Sequence, residues 1–238
     1  MSVGDNLDIG NANWRFRGKV VEKFDEHVAK SVPLYREGHE LICRVSDYFI
    51  KDGSTCYELG CSTGELTLRL AERNKHRENV RFVGIDVEPE MVELARKKAR
   101  EKGIENAFFE VDDAVLMDLE PTDFVVSYYA IQFIRPSVRQ DLFNKIYQAL
   151  QWGGAFLLFE KVRANDARFQ DIMTGLYTDF KLEQGYTAEE IVGKSRSLKG
   201  VLEPFSTQGN LDLFTRAGFV DILSIMKYVC FEGFMAIK

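Results

Sequence analysis

Between about residues 54 and 160, short runs of β-branched and aromatic residues alternate with longer segments whose apolar positions recur every three to four residues. That alternation predicts strands joined by helices, and so a mostly parallel sheet with helices packed on its faces. STCYEL (54–59) reads as a buried strand, followed by a helix over GELTLRLAERN (64–74). VRFVGI (80–85) is a second strand. Pro89 opens the next helix at its first turn and Gly103 closes it. NAFFEV (106–111) and DFVVSYY (123–129) give the third and fourth strands. Pro136 starts a helix expected to run through Leu150 and to end at Gly153-Gly154, with AFLLFEK (155–161) as the fifth strand.

The alternation stops after residue 160. Helical stretches at about 165–182 and 187–195, separated by Gly185-Tyr186, make an insertion spanning about 161–205. Another helix at about 206–217 closes on Ala217-Gly218, and FVDILSIMKYV and CFEGFMAIK follow with almost no spacer. Strands so closely joined can only pair antiparallel. The chain thus divides into an N-terminal part (1–53) and a sheet-bearing domain (54–238). Residues 1 to about 13 are small, polar and Gly/Asn-rich, and are expected to be a mobile lead-in. The rest of the N-terminal part is helical on both sides of Pro33. It either covers a sheet edge or, as favoured here, caps the crevice at the carboxyl ends of the strands, where open α/β sheets bind ligands.

Composition narrows the class. A chain of 238 residues, 45% hydrophobic and 29% charged, supports one sizeable core with a small insertion. No apolar run is long enough for a bilayer, and the N-terminus has no apolar signal region, so a cytoplasmic protein without membrane contact is expected. A net charge of -6 and a pI near 5.3 argue against direct nucleic-acid binding. The densest basic stretch, Arg96 to Arg100, lies on a predicted helix between acidic residues and reads as a solvated face. Cys43, Cys56, Cys61 and Cys230 form no C-x-x-C pair and read as free thiols in a reducing compartment. His27, His39 and His76 lack metal-ligand spacing, so no metal site is expected.

The candidate chemistry begins at a strand-to-helix turn, Glu58-Leu59-Gly60-Cys61-Ser62-Thr63-Gly64. Glycines there permit a tight turn and close approach of a ligand to the main chain. Asp86 ends the second strand, where a carboxylate can bind ribose hydroxyls. Together they describe a nucleoside site. A dinucleotide fingerprint is not met, because Ser62 replaces its second glycine and Glu65 occupies its third position. Gly60-Cys61-Ser62-Thr63-Gly64 matches the G-x-S-x-G nucleophile elbow literally. That reading needs an acid and then a histidine after the serine, and His76, the only histidine that follows, is too near in sequence. Val111-Asp112-Asp113-Ala114 follows the third strand, where Asp112 can accept an adenine amino group. Asp113 is either a second ligand or solvated, and Met91 either stacks on the adenine or fills the core. S-adenosylmethionine fits this set.

ELGCSTG, GIDVEP and WGGAFLLFE, in that order over 54–160, resemble class I S-adenosylmethionine-dependent methyltransferases. The resemblance implies an α/β, Rossmann-like fold: a mostly parallel seven-stranded sheet with a C-terminal antiparallel hairpin and a helical cap. FDEHVAKSVPLY, GCSTG, AIQFIRPSVRQDLFNKIYQAL, DFKLEQGYTAEEI, KSRSL and FEGFMAIK are similar to carboxy-S-adenosylmethionine synthases, a family also named tRNA (cmo5U34)-methyltransferases. That family uses prephenate to carboxylate the methyl carbon of S-adenosylmethionine, serves tRNA wobble-uridine modification, and is typically homodimeric. The resemblance implies that Tyr35, Gly60, Cys61, Ser62, Asp86, Val87, Asp112 and Asp113 line the cofactor; Glu58, Gly64, Met91 and Tyr128 join them as candidate cofactor-binding residues from their places in the chain. The resemblance also implies that Arg196 pairs with the added carboxylate, from its own or the other subunit. A guanidinium offers the bidentate geometry such a group needs, and the alternative is a solvent-exposed residue on a basic helix end. Tyr35, Tyr128 and Arg196 are the expected reaction-site residues. Two positions depart from the family pattern: Tyr128 stands where an asparagine is typical, and Leu34 where a glycine is. The alternatives are a conventional methyltransferase acting on a small molecule and a non-catalytic protein that binds S-adenosylmethionine or S-adenosylhomocysteine.

Overall fold

The computed structural model describes residues 19–238, so the expected lead-in lies outside the described residues. Seven strands form one sheet: β1 (Thr55–Leu59), β2 (Arg81–Asp86), β3 (Ala107–Val111), β4 (Thr122–Tyr128), β5 (Leu150–Lys161), β6 (Asp221–Tyr228) and β7 (Phe231–Ile237). Their order is β3-β2-β1-β4-β5-β7-β6. The first five run parallel, while β7 pairs antiparallel with both β5 and β6.

The central strands are continuous apolar runs because helices cover both faces. Ala155 through Phe159 are wholly buried, as are Phe124, Val125 and Val126. On one face Tyr57, Val83, Val125, Phe156 and Leu158 pack against α5 (Pro136–Ala149) and α8 (Thr207–Ala217) through Phe143, Ile146 and Phe214. On the other, Phe82, Phe124, Val126 and Leu157 meet α2 (Tyr35–Ser46) and α3 (Glu65–Arg73) through Ile42, Leu66 and Leu70. α4 (Pro89–Lys102) sets Val92, Ala95 and Ala99 against Phe109, and Gly103 ends it at φ 64°. Gly supplies that left-handed cap without steric cost.

One expectation needs correcting. The helix opened by Pro136 does not reach Gly153-Gly154; it ends at Ala149, and β5 already begins at Leu150. Leu150 is extended and buried, and it pairs with Thr122. The Gly153 amide donates to the Lys238 carbonyl (2.8 Å), and the Lys238 amide donates to that of Gly154 (3.0 Å). The two glycines are therefore part of a strand whose register with β4 shifts between Thr122 and Phe124. Gly153, at φ 79°, supplies the irregular residue.

The remaining helices lie outside the sheet alternation: α1 (Lys19–Ser31), α6 (Ala167–Glu183) and α7 (Ala188–Ser197). Thr187 and Glu190 start α7 with a reciprocal capping box. All four cysteines are buried and unpaired. Among the described residues, no helix is long and apolar enough to cross a membrane.

Candidate functional site

A crevice of about 1310 Å³ lies along the carboxyl ends of β1, β2, β4 and β5. Phe24, His27 and Val28 of α1 line it, as do Met173 and Tyr177 of α6 and Ile191 of α7. Small-molecule pockets usually run to roughly 300–1,000 Å³. This one has room for a nucleoside-sized ligand and a second compound.

The glycine loop is held from below. The Gly60 and Cys61 amides both donate to the Ile85 carbonyl, at 2.8 and 2.9 Å. Ser62, at φ 48°, donates its amide to one oxygen of Asp86 (2.8 Å), and the Glu88 amide donates to the other (2.9 Å). The carboxylate expected at a ribose thus also ties the loop to the start of α4, and each oxygen keeps a lone pair for a sugar hydroxyl. Burial raises the Asp86 pKa, against the Glu88, Ser62 and Val87 amides that lower it. Gly60 is required by contact as well as by its φ of 79°: a Cβ there would fall 2.2 Å from that of Ala130. Gly64 does not line the crevice. It lies behind the loop, where a Cβ would press on Phe109 and Ala95.

Glu58 lines the crevice and is buried. Desolvation pushes its carboxyl up to about 8, opposed by the Thr67 hydroxyl that donates to it. Val87, Met91, Asp112 and Asp113 also line the crevice, with Val87 exposed and Met91 1% exposed, touching both core and cavity. Asp112 accepts the Asp113 amide (2.7 Å), and Asp113 accepts that of Val115 (2.8 Å), so both carboxylates shape the turn after β3.

The aromatic side is built on Tyr128. Its hydroxyl donates to the Tyr35 carbonyl at 2.6 Å, in space left because Gly38 has no Cβ. The rings of Tyr35, His39, Tyr129 and Phe159 stand 4.6–5.1 Å from it. Burial holds His39 down at about 4, so the imidazole is neutral. Arg196, in the last turn of α7, is exposed on the crevice rim. The cap is tied to the loop by Asp25, which accepts from the Thr63 hydroxyl (2.6 Å) and from the Lys98 ammonium (2.6 Å). On the far side the Tyr177 hydroxyl donates to the Ser31 carbonyl (2.8 Å). α1 and the start of α2 therefore roof the crevice, while α2 itself packs on the sheet.

Tyr129, expected beside Tyr128 and Arg196 in the acceptor pocket of a conventional methyltransferase, lines the crevice; sequence reasoning passed over Lys161 and Lys181, which line it too. A lysine closing an apolar strand was a readable signal for Lys161. Lys181 gave none, because helix periodicity does not show which polar residues a cap will bury.

A family model described as a methyltransferase domain matches residues 57–154. The carboxy-S-adenosyl-L-methionine synthase of Staphylococcus epidermidis is 34% identical over 226 residues, covering 94% of this chain and 97% of that protein. That of Campylobacter jejuni is 36% identical over 225 residues, covering 94% of each. The chain belongs to this synthase family. Its fold recurs in a putative O-methyltransferase from Nostoc punctiforme, with a TM-score of 0.63, 16% identity, and coverage of 92% of this chain and 59% of that one.

The chain is accordingly an enzyme that uses S-adenosylmethionine, with the Rossmann-like methyltransferase fold. The residues present fit that cofactor: a carboxylate with free lone pairs for the ribose, a glycine turn beneath it, and an apolar flank at Val87 and Met91 for a planar base.

Proposed function

We propose that the enzyme transfers the ring carboxyl group of prephenate to the methyl carbon of S-adenosylmethionine, giving carboxy-S-adenosylmethionine for tRNA wobble-uridine modification in the cytoplasm. The prephenate ring aromatises to phenylpyruvate as its hydroxyl departs, and that hydroxyl takes the displaced methyl proton and leaves as water. The observation that carries this reading is Arg196, a guanidinium on the rim of the same crevice that Glu58 and Asp86 line. S-adenosylmethionine supplies a sulfonium-activated methyl carbon as the acceptor. Asp86 and the glycine loop hold the adenosine. Arg196 grips the added carboxylate with two parallel hydrogen bonds. Tyr35, His39 and Tyr128, all uncharged, wall the space between and keep water from it.

The enzyme acts as a homodimer in this reading. Phe169, Ile172 and Leu176 recur on one face of α6 and are 60, 51 and 50% exposed, a stripe suited to a partner copy. Four unpaired cysteines suit a reducing compartment.

The test is mass spectrometry of the small molecule formed when purified enzyme is incubated with S-adenosylmethionine and prephenate. A product one carboxyl group heavier than S-adenosylmethionine is expected. Arg196→Ala should abolish it while leaving S-adenosylmethionine affinity within about twofold. Methylated acceptor and S-adenosylhomocysteine, with no carboxylated product, would instead establish a conventional methyltransferase.

A further inference from the structure

Two lysines in the crevice have no role in holding the cofactor. Lys161 ends β5 and Lys181 lies on α6, and both line the cavity. Their ammonium nitrogens stand 4.3 and 4.6 Å from the centre of the Tyr177 ring. That ring is fixed by its hydroxyl bond to Ser31 and by Phe231, 5.1 Å away. Lys181 is only 8% exposed. Among the described residues, neither ammonium meets a carboxylate or a hydrogen-bond acceptor.

Such an arrangement is expensive without a ligand. A buried ammonium loses its hydration, and a neighbouring π-face returns only part of that loss. A second cation beside it adds repulsion. Burial lowers both pKa values, that of Lys181 to about 8 with Lys161 contributing. An anion between the two nitrogens removes both penalties at once. In the sheet order β5 lies two strands from β1, roughly 10 Å away, so this recess sits beside the cofactor loop rather than on it. Tyr129, Tyr177 and Phe231 supply an aromatic wall next to the two charges.

We propose that Lys161 and Lys181 seat a carboxylate of the second substrate, whose apolar ring packs on Tyr129, Tyr177 and Phe231. The assignment rests on the carboxyl-transfer reading in one respect, that the second substrate is a cyclic carboxylic acid. Arg196 then serves the carboxyl group that is transferred, and the lysine pair the one that stays behind. The two cationic stations orient a dianion in one direction along the crevice, away from Glu58 and Asp86.

The experiment is calorimetric titration of prephenate into protein saturated with S-adenosylhomocysteine, using the wild type, Lys161→Met, Lys181→Met and Lys181→Arg. Methionine keeps the packing on Tyr177 and removes the charge. Each methionine variant should bind prephenate about tenfold more weakly or worse, with S-adenosylhomocysteine affinity within about twofold of wild type. Lys181→Arg should recover most of the loss. Wild-type affinity should also fall between about pH 7 and about pH 9, as Lys181 loses its proton. Prephenate binding unchanged in both methionine variants overturns the proposal, as does an equal loss of S-adenosylhomocysteine affinity. If wild-type protein does not bind prephenate, phenylpyruvate is titrated in its place. Lysine-dependent binding of that monocarboxylate upholds the seat while the prephenate reading falls; lysine-independent or absent binding overturns the seat itself.

Discussion

Replacing Gly60 with alanine would strain the cofactor loop in two separable ways. The residue sits at φ 79°, where an L side chain costs about 1–2 kcal/mol. Its new Cβ would also lie 2.2 Å from the Cβ of Ala130, when carbon atoms pack at about 3.5–4.0 Å. The loop and the segment after β4 must then move apart by more than about 1 Å, and overpacking of this kind costs about 1–3 kcal/mol. Together the terms predict a loss of about 2–5 kcal/mol in urea denaturation, with the m-value unchanged. The double variant Gly60→Ala/Ala130→Gly removes the contact but not the backbone strain. It should therefore show a favourable coupling of about 1–3 kcal/mol in the double-mutant cycle. Because the Gly60 and Cys61 amides share the Ile85 carbonyl, the displaced loop should also bind S-adenosylmethionine more weakly. A single variant that loses less than about 1 kcal/mol, or a cycle with no coupling, would refute the contact argument.

Two further outcomes follow from the same geometry. Glu58 has its carboxyl raised from 4.5 to about 8 by burial, so the folded state holds its proton longer than the unfolded chain does. Its contribution is complete below the unfolded value and is lost as pH rises toward 8, with a slope of at most about 1.4 kcal/mol per pH unit. Glu58→Gln should flatten the ligand-free stability profile over that window, and parallel urea profiles for the two proteins would contradict the assignment. Tyr128→Phe deletes the hydroxyl that donates to the Tyr35 carbonyl and should cost about 1 kcal/mol, lowering Tm by about 2–4 °C. An unchanged melting curve would mean that the bond does not anchor α2.

The element pattern was readable because buried parallel strands and amphipathic helices have different periods. Pro89, Gly103 and Gly218 marked helix ends with residues suited to those backbone positions. The Gly153-Gly154 pair misled for the same reason. Glycine signals a break in regular backbone, and a strand irregularity uses it as readily as a helix end does. The glycine loop and Asp86 were legible as a nucleoside site, but the attachment of Asp86 to the Ser62 and Glu88 amides was not, since it depends on how the loop folds back. Tyr128 and Leu34 were visible as departures, and the structure gives each a physical meaning. Tyr128 fills the gap over Gly38, and Leu34 adopts φ 56°, the left-handed backbone that glycine occupies more easily. Lys161 and Lys181 converge from a strand end and a distant helix, a juxtaposition that no local pattern encodes.

The position of β7 bears on how the chain is made. It is synthesised after every other strand, yet it lies inside the sheet, between β5 and β6. Until Phe231–Ile237 has left the ribosome, β5 presents an open edge along AFLLF, a segment that is wholly buried in the finished fold. Unpaired apolar edges of this kind are sites of misassembly. The nascent chain must therefore hold its sheet unsealed until seven residues arrive to close the gap between β5 and β6.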